Sequence, residues 1–282
     1  MIRPVIVAVA PNGARRTKAD HPALPITAHD LGLAAARCRE AGAAMIHLHV
    51  RDDEGRHSLD VARYRGAIAA VRREAGPEMI CQVTTESVGR YGPAQQMAAV
   101  RELAPDAFSV ALRELFAGPR DEAPGAAFLT EQAAAGVLVQ HILYDADDVG
   151  RFTTLVARGL IPPTCASVLF VLGRYAVDQR SAPADLLPFL RAWQDARPPD
   201  LPWAVCAFGS REEACMVAAA TLGGDVRIGF ENNLWRTDGS VAPDNASQIA
   251  AFCAMAESLG LSVAGPSAAR ALLSRSEPRE MP

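Results

Sequence analysis

Two histidines stand one residue apart in the stretch Ala43–Asp52, AAMIHLHVRD. Side chains alternate along a strand, so His47 and His49 share one face while Ile46, Leu48 and Val50 take the other. Two imidazoles converging at the end of an apolar strand suit a transition metal such as zinc, which accepts nitrogen and carboxylate donors. An open catalytic site of this kind needs a third protein ligand, and Glu231 in GGDVRIGFENN is the candidate. Arg227 lies four residues before it, on the same strand face. The plain alternative is one satisfied core histidine, one edge histidine and a salt-bridged rim carboxylate.

The elements that must carry these residues alternate regularly. Apolar, strand-like runs occupy Val5–Ala10, Ala43–Val50, Met79–Glu86, Ala107–Leu115, Val137–Asp145, Ala166–Gly173, Pro202–Gly209 and Asp225–Asn232. A helical segment follows each. The first opens on a Thr27/Asp30 capping box and stops at Gly42, and the second covers Leu59–Glu74. Helices near Pro93–Leu103, Ala126–Ala135, Asp145–Gly159, Pro183–Trp193, Arg211–Gly224 and Pro243–Leu259 continue the pattern. Eight strand-then-helix units with no linker predict an α/β protein, a single-domain (β/α)₈ TIM barrel over residues 1–282 with a polar tail from about 274. An open doubly wound sheet would bring a Gly-rich phosphate loop after its first strand, and VAPNGARR is not one.

In such a barrel chemistry collects at the C-terminal ends of the strands. Those positions hold Asn12, Arg15 and Arg16; His47, His49, Arg51 and Asp52; Thr84, Glu86 and Ser87; Ser109; His141 and Tyr144; and Arg227, Glu231 and Asn232. Arg51 and Asp52 read as a pair that orients the histidines. His21 and His57 read as loop residues, His29 as helix surface, and His141 as a buried, hydrogen-bonded group.

Charge and composition exclude several classes. With net charge −4 there is no basic footprint for nucleic acid, and no apolar run is long enough for a membrane helix. The opening MIRPVIVAVAPNG reads as a first strand, not a signal peptide, and the six scattered cysteines as reduced core residues, so a cytoplasmic location is expected. The only lysine, Lys18, sits in the first loop, which sets aside Schiff-base chemistry at a strand end.

The segments HPALPIT, AGAAMIHLHVRD, TTE, FVLG and GGDVRIGFENN occur in order between about Val5 and Asn245, and together they resemble the β-keto acid cleavage enzymes. The resemblance implies a zinc-bearing barrel (another divalent transition metal is possible), a homotetramer, and a β-keto acid and acetyl-CoA as substrates. The expected products are acetoacetate and a new acyl-CoA. It implies His47, His49 and Glu231 as metal ligands and Arg227 as a catalytic group beside them. Thr84, Ser87 and Ser109 fall where the family contacts its substrate. Asn232 stands where the pattern has an acidic residue, so a base must come from elsewhere, Glu86 or Asp52, or from water held by Arg227 and Asn232. Asn12–Arg16 replaces a glutamate that receives a substrate amine; arginines there favour an anionic or neutral tail. A metal hydrolase of the amidohydrolase kind, with His141 as a further ligand, and a catalytically altered barrel with a binding role remain as alternatives.

Overall fold

The computed structural model describes residues 3–164, 166–198 and 200–274. Eight parallel strands close into a barrel in the order β1 (Val7–Val9), β10 (Asp225–Ile228), β9 (Trp203–Ala207), β8 (Ala166–Leu172), β7 (Leu138–Leu143), β6 (Ala107–Ala111), β5 (Ile80–Thr84) and β2 (Met45–Leu48). Alternation along each strand explains the closure. One set of side chains, including Val7, Ile46, Val83, Phe108 and Val205, packs outward on the helices. The other set fills the interior in layers: an apolar floor of Ile6, Ala8, Met45, Ile80, Ala107 and Leu138, then the polar side chains above it.

The helices around the barrel are fixed by their caps. Thr27 opens α1 (Ala28–Glu40): its hydroxyl accepts from Asp30 N at 3.1 Å and the Asp30 carboxylate answers Thr27 N. Asp60, Asp145 and Asp244 do the same work for α2 (Val61–Ala75), α6 (Ala146–Ala157) and α9 (Asn245–Ser258). The remaining major helices are α3 (Pro93–Leu103), α5 (Glu122–Ala134), α7 (Leu187–Ala196) and α8 (Glu212–Thr221).

Several boundaries differ from the sequence reading, each for a local reason. The second strand breaks at His49, and Val50–Arg51 (β3) folds back antiparallel on His57–Ser58 (β4). The fourth strand ends at Ala111, and Leu112–Leu115 forms a short helix, α4. The last barrel strand ends at Ile228, because Gly229 turns with φ +144°. A Cβ there would lie 2.5 Å from Ala10 O, so the turn requires glycine. A tenth helix, α10 (Pro266–Leu273), was not foreseen; its Ala269, Leu272 and Leu273 close the apolar floor from below. The polar tail after Ser274 and Cys165 lie outside the described residues. No described helix is long and apolar enough to cross a membrane.

Candidate active site at the C-terminal mouth of the barrel

A cavity of about 110 Å³ opens at the C-terminal ends of the strands. His47 Nε2 and His49 Nε2 lie 3.1 Å apart on its floor, and Glu231 Oε2 completes the triangle at 3.7 and 3.3 Å. These were the three expected metal ligands. Both histidines are buried, and Glu231 Oε2 has no hydrogen-bond donor. A buried carboxylate oxygen left without a donor, facing two imidazole nitrogens, calls for a cation. Zinc bond lengths of roughly 2.0–2.2 Å place tetrahedral ligand atoms roughly 3.3–3.5 Å apart, close to the spacing found. The donor set therefore fits a divalent metal ion.

The surroundings prepare this set. His47 Nδ1 lies 2.7 Å from Gln82 Oε1, an acceptor, which leaves the proton on Nδ1 and the Nε2 lone pair free. Gln82 is itself aligned by donating to Gln140 Oε1 at 3.3 Å. Burial, joined by the charge of Arg227, pushes His47 down to about 3, so the ring is neutral. Asn12 donates to the His49 carbonyl at 3.1 Å.

Glu231 reaches the histidines by a turn and not, as expected, by strand alternation. Its N–H bonds Ala10 O at 3.0 Å, and Asn245 Oδ1 accepts from Phe230 N at 2.8 Å. Arg227 donates to Glu231 Oε1 at 2.9 Å. Burial alone would raise the Glu231 carboxyl, but Arg227 and the two histidines outweigh it and hold the group well below the usual carboxylate range.

Around this centre the cavity gathers Asn12, Arg15, Thr84 and Glu86, all expected at the site. Glu86 Oε2 stands 3.9 Å from His49 Nδ1, and Glu86 Oε1 is 3.3 Å from Arg174. Ser87, Ser109 and Asn232 are not brought in. Ser87 Oγ accepts from Gly89 N in the loop beyond, and Ser109 is fully buried with no partner for its hydroxyl. Asn232 is fully buried, and both atoms of its amide lack partners.

Other expectations need correction. Arg51 does not pair with Asp52. It donates to the carbonyls of Gly13 and Arg16, the latter at 3.0 Å, and so anchors the first loop. Asp52 instead holds Arg56 at 2.9 Å in the β3–β4 turn, away from the cavity. His57 is not a loop residue: it opens β4, buried, with its ring 5.1 Å from that of His49 and its Nε2 3.0 Å from Glu86 O. His21 does lie in a loop, where it is buried and bonds Ala242 O at 2.8 Å. His29 is exposed as expected. His141 faces outward onto Phe152 at 5.1 Å, with Nδ1 unpartnered, away from the three donors.

Sequence reasoning missed Gln82 and Arg174. Arg174 was findable as the first charged residue after the sixth strand run, FVLG, at a position where barrels place functional groups. Gln82 had only its parity with Thr84 to mark it.

The family model of the beta-keto acid cleavage enzyme matches residues 4–274. The chain belongs to this family. Among its relatives is a 3-keto-5-aminohexanoate cleavage enzyme of Fusobacterium nucleatum, 28% identical over 284 residues, covering 97% of this chain and 99% of that one. A 3-oxoadipate:acetyl-CoA acetyltransferase of Cupriavidus necator is also 28% identical, over 97% of this chain and 95% of that one. The apo structure of ObcA superposes with a TM-score of 0.71 at 17% identity, over 89% of this chain and 65% of that chain, and supports the barrel fold alone. Membership of the β-keto acid cleavage enzyme family thus joins a C-terminal-face cavity whose floor is a His–His–Glu triangle.

Proposed function

We propose that this member of the family converts a β-keto acid and acetyl-CoA into acetoacetate and a new acyl-CoA, with a divalent metal, zinc foremost, at His47, His49 and Glu231. One observation carries the reading: three donors converge within 4.8 Å at the catalytic end of the barrel, one of them a carboxylate oxygen with no donor of its own. When bound, the ion would act as a Lewis acid that lowers the pKa of the carbon between the keto and carboxylate groups.

The chain's own residues divide the remaining work. Glu86 is the cavity carboxylate outside the ligand triangle, so its Oε2 is assigned as the base that takes the proton from that carbon. Arg174 holds the other Glu86 oxygen and fixes its direction. Arg227 orients Glu231 and places a guanidinium where negative charge develops on oxygen. Asn12 anchors the loop over His49 and offers an unpartnered Oδ1, while Thr84 fixes Glu86 by accepting from its N–H at 3.0 Å. Burial raises the Tyr144 phenol, which therefore stays protonated as a donor on the cavity wall. The acyl group of the keto acid leaves on the CoA sulfur, and the acetyl group of acetyl-CoA becomes bonded to the released two-carbon carboxylate fragment, so atoms balance without a further reactant.

Metal analysis of the purified protein, with His47→Ala as control, tests the centre. A panel of β-keto acids with acetyl-CoA, scored for acetoacetate, tests the reaction. Metal-free protein that forms no acetoacetate from any member would sink both. The reading also carries a cytoplasmic homotetramer. The described cysteines, all free, support the reducing location, and light scattering of the purified protein checks the assembly.

A further inference from the structure

A second cavity, of about 330 Å³, lies between α8, α9 and the loop in which Trp235 pairs with Val241. It shares no lining residue with the catalytic cavity. Part of its wall is apolar, from the buried Ile228 and Phe252. Asn233 holds two polar side chains of the same wall in place. Its carbonyl accepts from Gln248 Nε2 at 3.0 Å, and its Nδ2 donates to Glu212 Oε2 at 3.3 Å. The first bond fixes the sense of the Gln248 amide, because only the nitrogen can donate to a carbonyl. Gln248 Oε1 is left with no donor, on a side chain that is only 9% exposed. A buried acceptor without a donor, in the wall of a cavity, calls for a ligand that brings one.

The charges at this cavity decide which donor suits it. Three carboxyl residues, Glu212, Glu213 and Asp238, stand with one cation, Arg236. None of the four has an opposite charge within salt-bridge distance among the described residues. Glu212 is buried and receives only long bonds, so an incoming positive charge would give it the counter-ion it lacks. Trp235, 46% exposed, adds an aromatic ring, whose face attracts cations.

We propose that this cavity binds the primary ammonium group of a small organic amine, with Gln248 Oε1 and the Glu212 carboxyl as its acceptors and Trp235, Ile228 and Phe252 against its hydrocarbon. An ammonium carries three N–H donors and no acceptor, which matches the unfilled oxygen of Gln248. A carboxylate or phosphate would instead meet three carboxyl groups and is repelled. The site stands apart from the cleavage reading, since none of its residues is a metal donor or a group assigned to the reaction.

Calorimetry on the purified, metal-loaded protein at neutral pH compares n-butylamine, n-butanol and butyrate, which share a short chain and differ in the head group. The amine should bind on the order of tenfold more tightly than either of the others. Gln248→Leu removes the unfilled acceptor and should weaken the amine by on the order of tenfold. Trp235→Ala, at an exposed position that folding does not depend on, should weaken it by roughly 2–5-fold and keeps the test open if Gln248→Leu does not fold. Glu86→Gln, in the catalytic cavity, should leave amine binding unchanged. Binding that survives Gln248→Leu and Trp235→Ala but is lost in Glu86→Gln would overturn the site and move the amine to the catalytic cavity. Equal binding of the amine and butanol, or no saturable binding of the amine, would also overturn it.

Discussion

Gln82 Oε1 accepts the Nδ1 proton of His47 at 2.7 Å, and this one bond decides which nitrogen of His47 faces the cavity. Replacing Gln82 with Leu keeps the volume nearly constant but frees the ring to rotate and change tautomer. Metal affinity should fall by roughly 10–100-fold, read by competition with a chromogenic chelator. Unchanged affinity would mean that packing alone orients His47.

Glu86 is the proposed base, and Glu86→Gln keeps its shape while removing its basicity. The variant should retain its metal and lose on the order of 10²–10⁴ in kcat. Equal loss on Asp52→Asn would point to the other carboxylate considered, which the fold ties to Arg56 instead.

Gly229 carries the turn that delivers Glu231. In Gly229→Ala the new Cβ would meet Ala10 O at 2.5 Å with φ at +144°, so the turn must shift. The expected cost is at least ~1–3 kcal/mol of stability together with lost metal, seen by calorimetry and metal analysis. A stable, metal-replete variant would refute the assignment.

Glu212 begins α8 with its carboxyl buried, receiving only long bonds, 3.3 Å each, from Gly229 N and Asn233 Nδ2. Burial pushes it up to about 8, above its ordinary value of 4.5. The folded protein therefore holds this proton where the unfolded chain has released it. The stability it contributes is complete below about pH 4.5 and is lost as pH rises through 8. Glu212→Gln should flatten that decline, so its melting temperature should gain on the wild type by several degrees between pH 6 and pH 9. Parallel curves across that range would show that Glu212 is ionised in the folded state.

Arg51→Lys removes a planar fork that a single ammonium cannot replace. Amide exchange over residues 13–16 should accelerate, and KM for the keto acid should rise more than kcat falls. A loop with unchanged protection would assign Arg51 to the β3–β4 turn alone.

What could be read in the chain follows from how local each signal is. Eight alternating apolar runs gave the barrel, because strand parity and helix caps are written within a few residues. The three candidate donors were legible because His47 and His49 lie two apart in one apolar run and Glu231 follows the last such run. The failures are contacts across the mouth. Arg51 stood next to Asp52 in sequence, yet its partners are backbone carbonyls, one in the adjoining turn at Gly55 and two others 35 and 38 residues away. Glu231 was correctly paired with Arg227 for the wrong reason, since a glycine turn and not an extended strand brings them together. Asn232 looked like a replaced base beside a ligand; the turn after Gly229 instead seals its side chain away from the cavity.

Arg51 grips the first loop only through main-chain oxygens, and a carbonyl is the same whatever side chain sits beside it. Positions 15 and 16 are thus free to vary while their anchor stays put. The loop behaves as an interchangeable cassette on a fixed frame. In such an arrangement the side chains at the cavity mouth can change with little risk to the fold beneath them.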